Sequence, residues 1–179
     1  MNLIFVYGPP AVGKHTVGLR LSELTGYKLF YNHLTVPVVK VIYDQECPSR
    51  SELLKKIRLA VIESAALSGI DLIFTVAYSG GPGDERFVQD IANIVEATPG
   101  GRMMYVQLFA PNEVLLQRVA EPSRRELQAH KMTDPVRYGE KLKTRNTMVS
   151  IRKKGVLLLN TAQLSAVQSA VAIVRHFGL

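Results

Sequence analysis

Leu3-Ile4-Phe5-Val6-Tyr7 is a short, apolar, strand-forming run that leads straight into Gly8-Pro9-Pro10-Ala11-Val12-Gly13-Lys14-His15-Thr16. Directly afterwards Val17, Leu21 and Leu24 recur at helical spacing. The order is therefore strand, glycine loop, helix. Gly8 and Gly13 permit backbone angles and close approaches that a Cβ would block, so successive N–H groups can turn inward. The helix that follows adds its positive end, and Lys14 adds a full charge. An anion with many oxygens, a polyphosphate above all, satisfies that arrangement.

The spacing G-x-x-x-x-G-K is that of the P-loop, or Walker A motif, and it stands in the context that motif requires, directly after a buried strand. After the lysine such loops usually carry Ser or Thr, whose hydroxyl binds magnesium. Here the position is His15, with Thr16 one place later. Neutral imidazole is a poor ligand for a hard cation, so His15 reads as a helix N-terminal side chain hydrogen-bonded locally. Thr16 is left as the hydroxyl that can reach a phosphate oxygen or the metal.

At 179 residues the chain is expected to be one domain, long enough for a full sheet with helices on both faces. No apolar run approaches a membrane span, and the first apolar stretch has no basic leader. A cytoplasmic protein with no membrane partner and no signal peptide is expected. Cys47 is the only cysteine, which excludes an internal disulfide and a multi-cysteine metal site and suits a reducing compartment. The net charge of +7 is not spread evenly. Between Arg118 and Lys154 lie eleven basic residues against four acidic ones, and the remaining eleven of each sign cancel. Such a segment fits a solvated helical face, a nucleic-acid patch or a lid over phosphates.

Along the chain, Gly26 suits a helix C-cap, Tyr27 to Tyr31 reads as a second strand, and Asn32-His33 follows it, either touching a substrate or capping the next helix. A short helix is expected around Pro37 and a loop from Asp44 to Arg50. Ser51 then caps a longer helix with Glu52 in its first turn, burying Leu53, Leu54, Ile57, Ala60, Val61, Ser64 and Ala65 up to Gly69. Arg58 lies partly off that face, where it either reaches a substrate cleft or is solvated. Asp71 to Tyr78 is a central strand, ending without the acidic residue that often helps to hold magnesium. After Ser79-Gly80-Gly81-Pro82-Gly83, Asp84-Glu85 cap and charge a helix with Phe87, Ile91, Ile94 and Val95 inward. Arg102 to Phe109 is the next strand, and Pro111-Asn112-Glu113 opens a helix that Pro122 ends. Asp134-Pro135 starts another, carrying Arg137, Lys141, Lys143 and Arg145, with Gly155 as its close. Val156 to Leu159 is a last strand. Ser165 and Gln168 form a capping box on a helix that buries Leu164, Val167, Val171 and Val174.

Strands alternating with helices imply a parallel α/β sheet covered on both faces, with ligands beyond the C-terminal strand ends. The glycine loop, Asn32-His33, Tyr78 to Gly83 and Asn160-Thr161 all fall at such ends.

Over nearly its whole length the chain resembles the nucleoside-monophosphate-kinase-like P-loop proteins, which include adenylate, gluconate and shikimate kinases. GPPAVGKHT looks like their GPPGxGK[ST]T loop, and the segment of about residues 32–69 sits where they bind the acceptor. Arg118, Arg124 and Arg125 sit where they keep lid arginines, in a lid of about residues 118–150. Asn160-Thr161 sits where a loop edges the adenine. Ser79-Gly80-Gly81 is distantly similar to the glycine-rich substrate turn of shikimate kinases. The resemblance implies strand order 2-3-1-4-5 and an ATP- and Mg2+-dependent transfer of the γ-phosphoryl group to a small acceptor, a nucleotide, sugar acid or shikimate-like molecule. Residues Gly8 to Thr16 would hold the phosphates and Lys14 would bridge two of them. Arg118, Arg124 and Arg125 would act over the transferred group, with Asn32, His33, Arg58, Gly80 and Gly81 towards the acceptor and Thr16 at the metal. His15, Asn32 in place of an acid, and the third strand's missing acid depart from the pattern. They keep open a nucleotide-binding sensor without efficient transfer. A nucleic-acid-end kinase or RNA-binding module is a further alternative, against which the basic segment offers only Tyr138 as a stacking platform. A monomer and a homodimer are both compatible with the sequence.

Overall fold

The structure, a computed structural model, describes residues 1–43, 47–121, 133–144 and 148–179. The first apolar run forms β1 (Asn2–Tyr7), and every residue from Leu3 to Tyr7 is buried, because both faces of this strand are covered. Four further strands join it: β2 (Lys28–Tyr31), β3 (Leu72–Val76), β4 (Arg102–Phe109) and β5 (Leu157–Asn160). All neighbours pair in parallel, in the order β2-β3-β1-β4-β5 that the resemblance implies. The helices are α1 (Lys14–Thr25), α2 (Val36–Lys40, entered through a 3-10 turn at Asn32–Thr35), α3 (Pro48–Leu67) and α4 (Pro82–Glu96). They continue with α5 (Asn112–Ala120), α6 (Pro135–Thr144) and α7 (Ala166–Phe177).

The two-residue period of β1 divides the core. Ile4 and Val6 meet Val17 and Leu21 of α1, Leu115 and Val119 of α5, Tyr138 of α6 and Ile173 of α7. Leu3, Phe5 and Tyr7 meet Ile62 of α3 and Phe87, Ile91 and Val95 of α4. Gly18 lets α1 approach β2 closely, since a Cβ there would stand 2.8 Å from a methyl of Leu29. Leu24, one turn beyond Leu21, is 53% exposed rather than buried as its spacing suggests.

Several local expectations are corrected. Helix α3 starts at Pro48 with Cys47 as N-cap, not at Ser51, because proline at the first helical position needs no partner for a missing N–H. Its buried face is Leu54, Arg58, Ile62, Ala65 and Ala66, while Val61 is 41% exposed. Apolar residues surround this helix, so periodicity alone does not choose the face that α4 and the 3-10 turn cover. Helix α7 likewise buries Ser169, Ala170 and Ile173 and exposes Val167, although its capping box of Ser165 and Gln168 forms as expected. Gly81, not Asp84, is the N-cap of α4. Gly155, at φ 77°, turns the chain ahead of β5, whereas α6 ends at Thr144. Asp134 does cap α6, accepting from the N–H groups of Val136 and Arg137 at 2.9 and 3.1 Å. Among the described residues no helix is long and apolar enough to cross a membrane.

Candidate functional site

The C-terminal ends of β1, β2, β3 and β5 open onto one cavity of about 570 Å³, whose lining includes Gly13, Lys14, Thr16, Asn32, His33 and Thr161. On its floor the chain leaves β1 through Gly8, at φ 149°, where any Cβ would collide with the carbonyl oxygen of Leu108. It turns at Ala11 and Gly13, at φ 64° and 97°, and enters α1 at Lys14. Ala11 is the one non-glycine residue with positive φ among the described residues, a conformation that costs an L residue about 1 kcal/mol. Among the described residues none accepts a hydrogen bond from the N–H of Ala11, Val12 or Gly13. Lys14 Nζ donates to the carbonyls of Gly8 and Pro9 at 2.9 and 2.7 Å, which folds the ammonium back over the loop. Inward N–H groups, a helix N-terminus and this ammonium together favour a polyphosphate.

Distant residues brace the loop from outside. The Thr161 hydroxyl, at the end of β5, donates to the Val12 carbonyl at 2.9 Å. Arg118, in the last turn of α5, donates through Nη1 to Thr161 Oγ1 at 3.0 Å and through Nη2 to its carbonyl at 2.6 Å. Arg118 thus lines the cavity beside Thr161. Tyr138 of α6 is wholly buried and donates to the Pro10 carbonyl at 2.9 Å. Asn160 turns away, its side-chain oxygen accepting from the N–H of Ala162 at 3.0 Å.

At the other end of the cavity lie Tyr31, Asn32 and His33. The ring of His15 meets the Tyr31 ring edge-on, with centroids 4.6 Å apart, so the imidazole is packed against the end of β2. Thr16 is exposed in the lining. Arg58 does not line this cavity. Buried on α3, it donates through Nε to the Thr35 hydroxyl and through Nη2 to the Asn32 carbonyl, each at 3.1 Å, and so fixes the turn that presents Asn32 and His33. Burial, reinforced by Arg50, lowers its pKa to about 10. Arg58 borders a second cavity of about 100 Å³, together with Lys55, Tyr78 and Asp84. Asp84 accepts from the N–H and hydroxyl of Ser79 at 2.9 and 2.7 Å, bracing the glycine turn. Gly80 and Gly81 line neither cavity. Gly80, at φ 75°, is covered by Val149, whose Cγ1 would stand 2.6 Å from an added Cβ.

Residues 148–151 cross the strand ends and are tied down there. Tyr7 Oη accepts from the N–H of Ile151 at 3.0 Å, and Gln107 Nε2 donates to the Met148 carbonyl at 3.2 Å. Burial raises the pKa of Tyr7, opposed by its bonds to Ser150 and Ile151, so it acts as a neutral hydroxyl. Arg124 and Arg125 lie outside the described residues, as do Asp44, Pro122 and Arg145. Sequence reasoning missed the bracing roles of Tyr138, Thr161 and Tyr7, since a buried tyrosine advertises only its need for some partner.

The residues present fit a polyphosphate better than a protein-anchored magnesium ion. His15 stands against Tyr31 where a hydroxyl would serve the metal, β3 runs into Ala77, and Thr16 is the remaining hydroxyl of the loop. Among the described residues no three His, Cys, Asp or Glu gather into a metal site.

No protein-family model matches the chain, and a search of curated proteins finds no match. Solved structures do match. A provisionally named kinase from Chloroflexus aurantiacus superposes with a TM-score of 0.71 at 18% identity, covering 99% of this chain and 96% of that one. The tunicamycin resistance protein of Deinococcus radiodurans gives 0.63 at 18% identity, covering 100% and 97%. Shikimate kinase from Acinetobacter baumannii, in complex with shikimate, gives 0.56 at 19% identity, covering 98% and 92%. At these identities the likeness is one of fold: an α/β P-loop kinase fold with the sheet order 2-3-1-4-5.

Proposed function

We propose that the chain is one P-loop domain, spanning residues 1–179, that binds ATP and transfers its γ-phosphoryl group to a small hydroxylated acceptor, a nucleotide, sugar acid or shikimate-like molecule. The observation that carries this reading is a single cavity running from the N–H groups around Ala11 and Gly13 to Asn32 and His33. Such a cavity gives a donor's phosphates and an acceptor one shared space. Phosphoryl transfer asks little covalent help of a protein and much positive charge at the migrating group. Lys14 exchanges a backbone carbonyl for phosphate oxygens, Arg118 beside Thr161 flanks the nucleotide, and Arg124 and Arg125 supply the lid charge. Asn32 and His33 face the acceptor, and Arg58 holds them in place. Magnesium, when bound, neutralises phosphate charge, and of this chain's loop hydroxyls Thr16 would approach it.

Titration calorimetry with ATP, with and without magnesium, followed by ADP release against nucleosides, nucleoside monophosphates, sugar acids and shikimate, tests the reading. Saturable ATP binding with ADP release triggered by one acceptor is expected. An absence of ATP binding would overturn it.

A second reading, a nucleotide sensor without efficient transfer, draws on the packing of His15 against Tyr31 and on the lack of an acid at the end of β3. ATP binding without ADP release from any acceptor would favour it. The nucleic-acid reading is left with the charge of the basic segment alone, because Tyr138, the segment's aromatic, is buried against the loop and is no stacking platform.

A further inference from the structure

Pro10 and Ala11 form the strained corner of the phosphate loop. With Ala11 at φ 64°, rotation of the peptide between these residues would return the alanine to negative φ, where L residues normally lie. The same rotation would carry the N–H of Ala11 to the opposite side of the chain. The described backbone contains no cis peptide, so the Pro10 carbonyl and the Ala11 N–H point in opposite directions. Whatever holds the carbonyl therefore aims the N–H.

What holds it is the Tyr138 hydroxyl, at 2.9 Å, from a residue with no exposed surface and 128 positions away in the chain. A second hydroxyl, that of Thr161, holds the Val12 carbonyl and by the same geometry aims the N–H of Gly13. Gly13 pays no steric penalty at its angle, so of the two braces Tyr138 opposes the costlier relaxation.

We infer that Tyr138 is a positioning residue for phosphate binding: by fixing the Pro10 carbonyl it keeps the Ala11 N–H aimed at the phosphates against the steric preference of alanine. This rests on reading the loop as a phosphate cradle. It adds that α6, a helix of the basic segment, sets the loop's affinity through the hydrogen bond from Tyr138 to Pro10.

The test is a mutant cycle in the full chain, titrated calorimetrically with ATP and with pyrophosphate, with thermal midpoints recorded in parallel. Tyr138→Phe keeps the ring and removes the bond, and is expected to weaken both ligands about fivefold to tenfold. In an Ala11→Gly background the same change is expected to cost less than about twofold, since glycine has no steric reason to turn the peptide. A purely structural hydroxyl would instead lower both midpoints alike and leave the two affinity losses equal. That equality, or an unchanged affinity in Tyr138→Phe, would overturn the inference. A second measurement needs no variant: the Ala11 amide proton of the wild-type chain should move downfield in NMR spectra as pyrophosphate is added, and an unmoved resonance would overturn the inference even if Tyr138→Phe does not fold. A wild-type chain that binds neither ligand would instead sink the cradle reading itself, and this inference with it.

Discussion

The two ends of the cavity are built on different principles. At the end formed by the glycine loop the backbone presents itself, and side chains from α6 and from just beyond β5 hold its carbonyls from outside: Tyr138 on Pro10 and Thr161 on Val12, with Arg118 of α5 on Thr161. At the end formed by the turn after β2 side chains are presented, Asn32 and His33 among them, and a buried cation, Arg58, holds the turn beneath them. Under the proposed function, the braced end would take a ligand whose shape hardly varies among nucleotides. The other, under the same proposal, would take its specificity from the residues on a short turn. The fold itself is shared with proteins as different as a shikimate kinase and a tunicamycin resistance protein.

Substitutions can break or sharpen that contrast. The largest effect is expected from Lys14→Ala, which removes the one full charge of the loop: ATP affinity should fall by about a hundredfold or more in calorimetry, with a thermal midpoint near that of the wild type. Arg58→Ala should do the reverse. It leaves the Asn32 carbonyl and Thr35 hydroxyl without this donor and opens a cavity, at a cost of about 3 kcal/mol in urea unfolding, while ATP affinity of the folded protein is retained. Arg58→Met should cost less, because burial already disfavours the charged form, as the pKa of about 10 records. If Arg58→Ala weakens ATP as strongly as Lys14→Ala does, the two ends are not separate.

Smaller effects refine the boundary between them. Gly80→Ala forces a Cβ onto Val149 at positive φ and should cost about 1–2 kcal/mol in the same unfolding experiment. Combining it with Val149→Ala should recover the steric part and leave the backbone part. His15→Ser is expected to change least: ATP affinity should rise about threefold in the presence of magnesium and stay constant without it. A gain independent of magnesium would mean that His15 acts on phosphate directly.

The geometry of the glycine loop was largely legible in the sequence because its determinants are local. Gly8, Gly13 and Lys14 declare their backbone angles and charge within seven residues, and the apolar run before them declares a doubly covered strand. The strand pattern was legible for the same reason, with β4 falling on the expected residues, Arg102–Phe109. The braces were not, since nothing near Pro10 announces Tyr138 and nothing near Gly80 announces Val149. Arg58 shows a further limit. A cation on a helix with apolar residues all round reads as the exposed side, yet here the polar turn at Asn32–Thr35 gives it partners, and its face is the buried one.

The place of β1 in the sheet has a consequence for how the chain assembles. As the ribosome extends the protein, β1 is made before the other four strands of this sheet, but its partners are β3, in the register Leu3 to Leu72, and β4, in the register Leu3 to Met103. Its apolar edges must wait until the chain beyond residue 100 has emerged, and such distant pairings make for slow folding. The glycine loop, although translated early, gains its Tyr138 and Thr161 braces later still. The loop therefore acquires its braced geometry only once residue 161 has emerged, and a ligand that binds the loop would stabilise only chains extended at least that far.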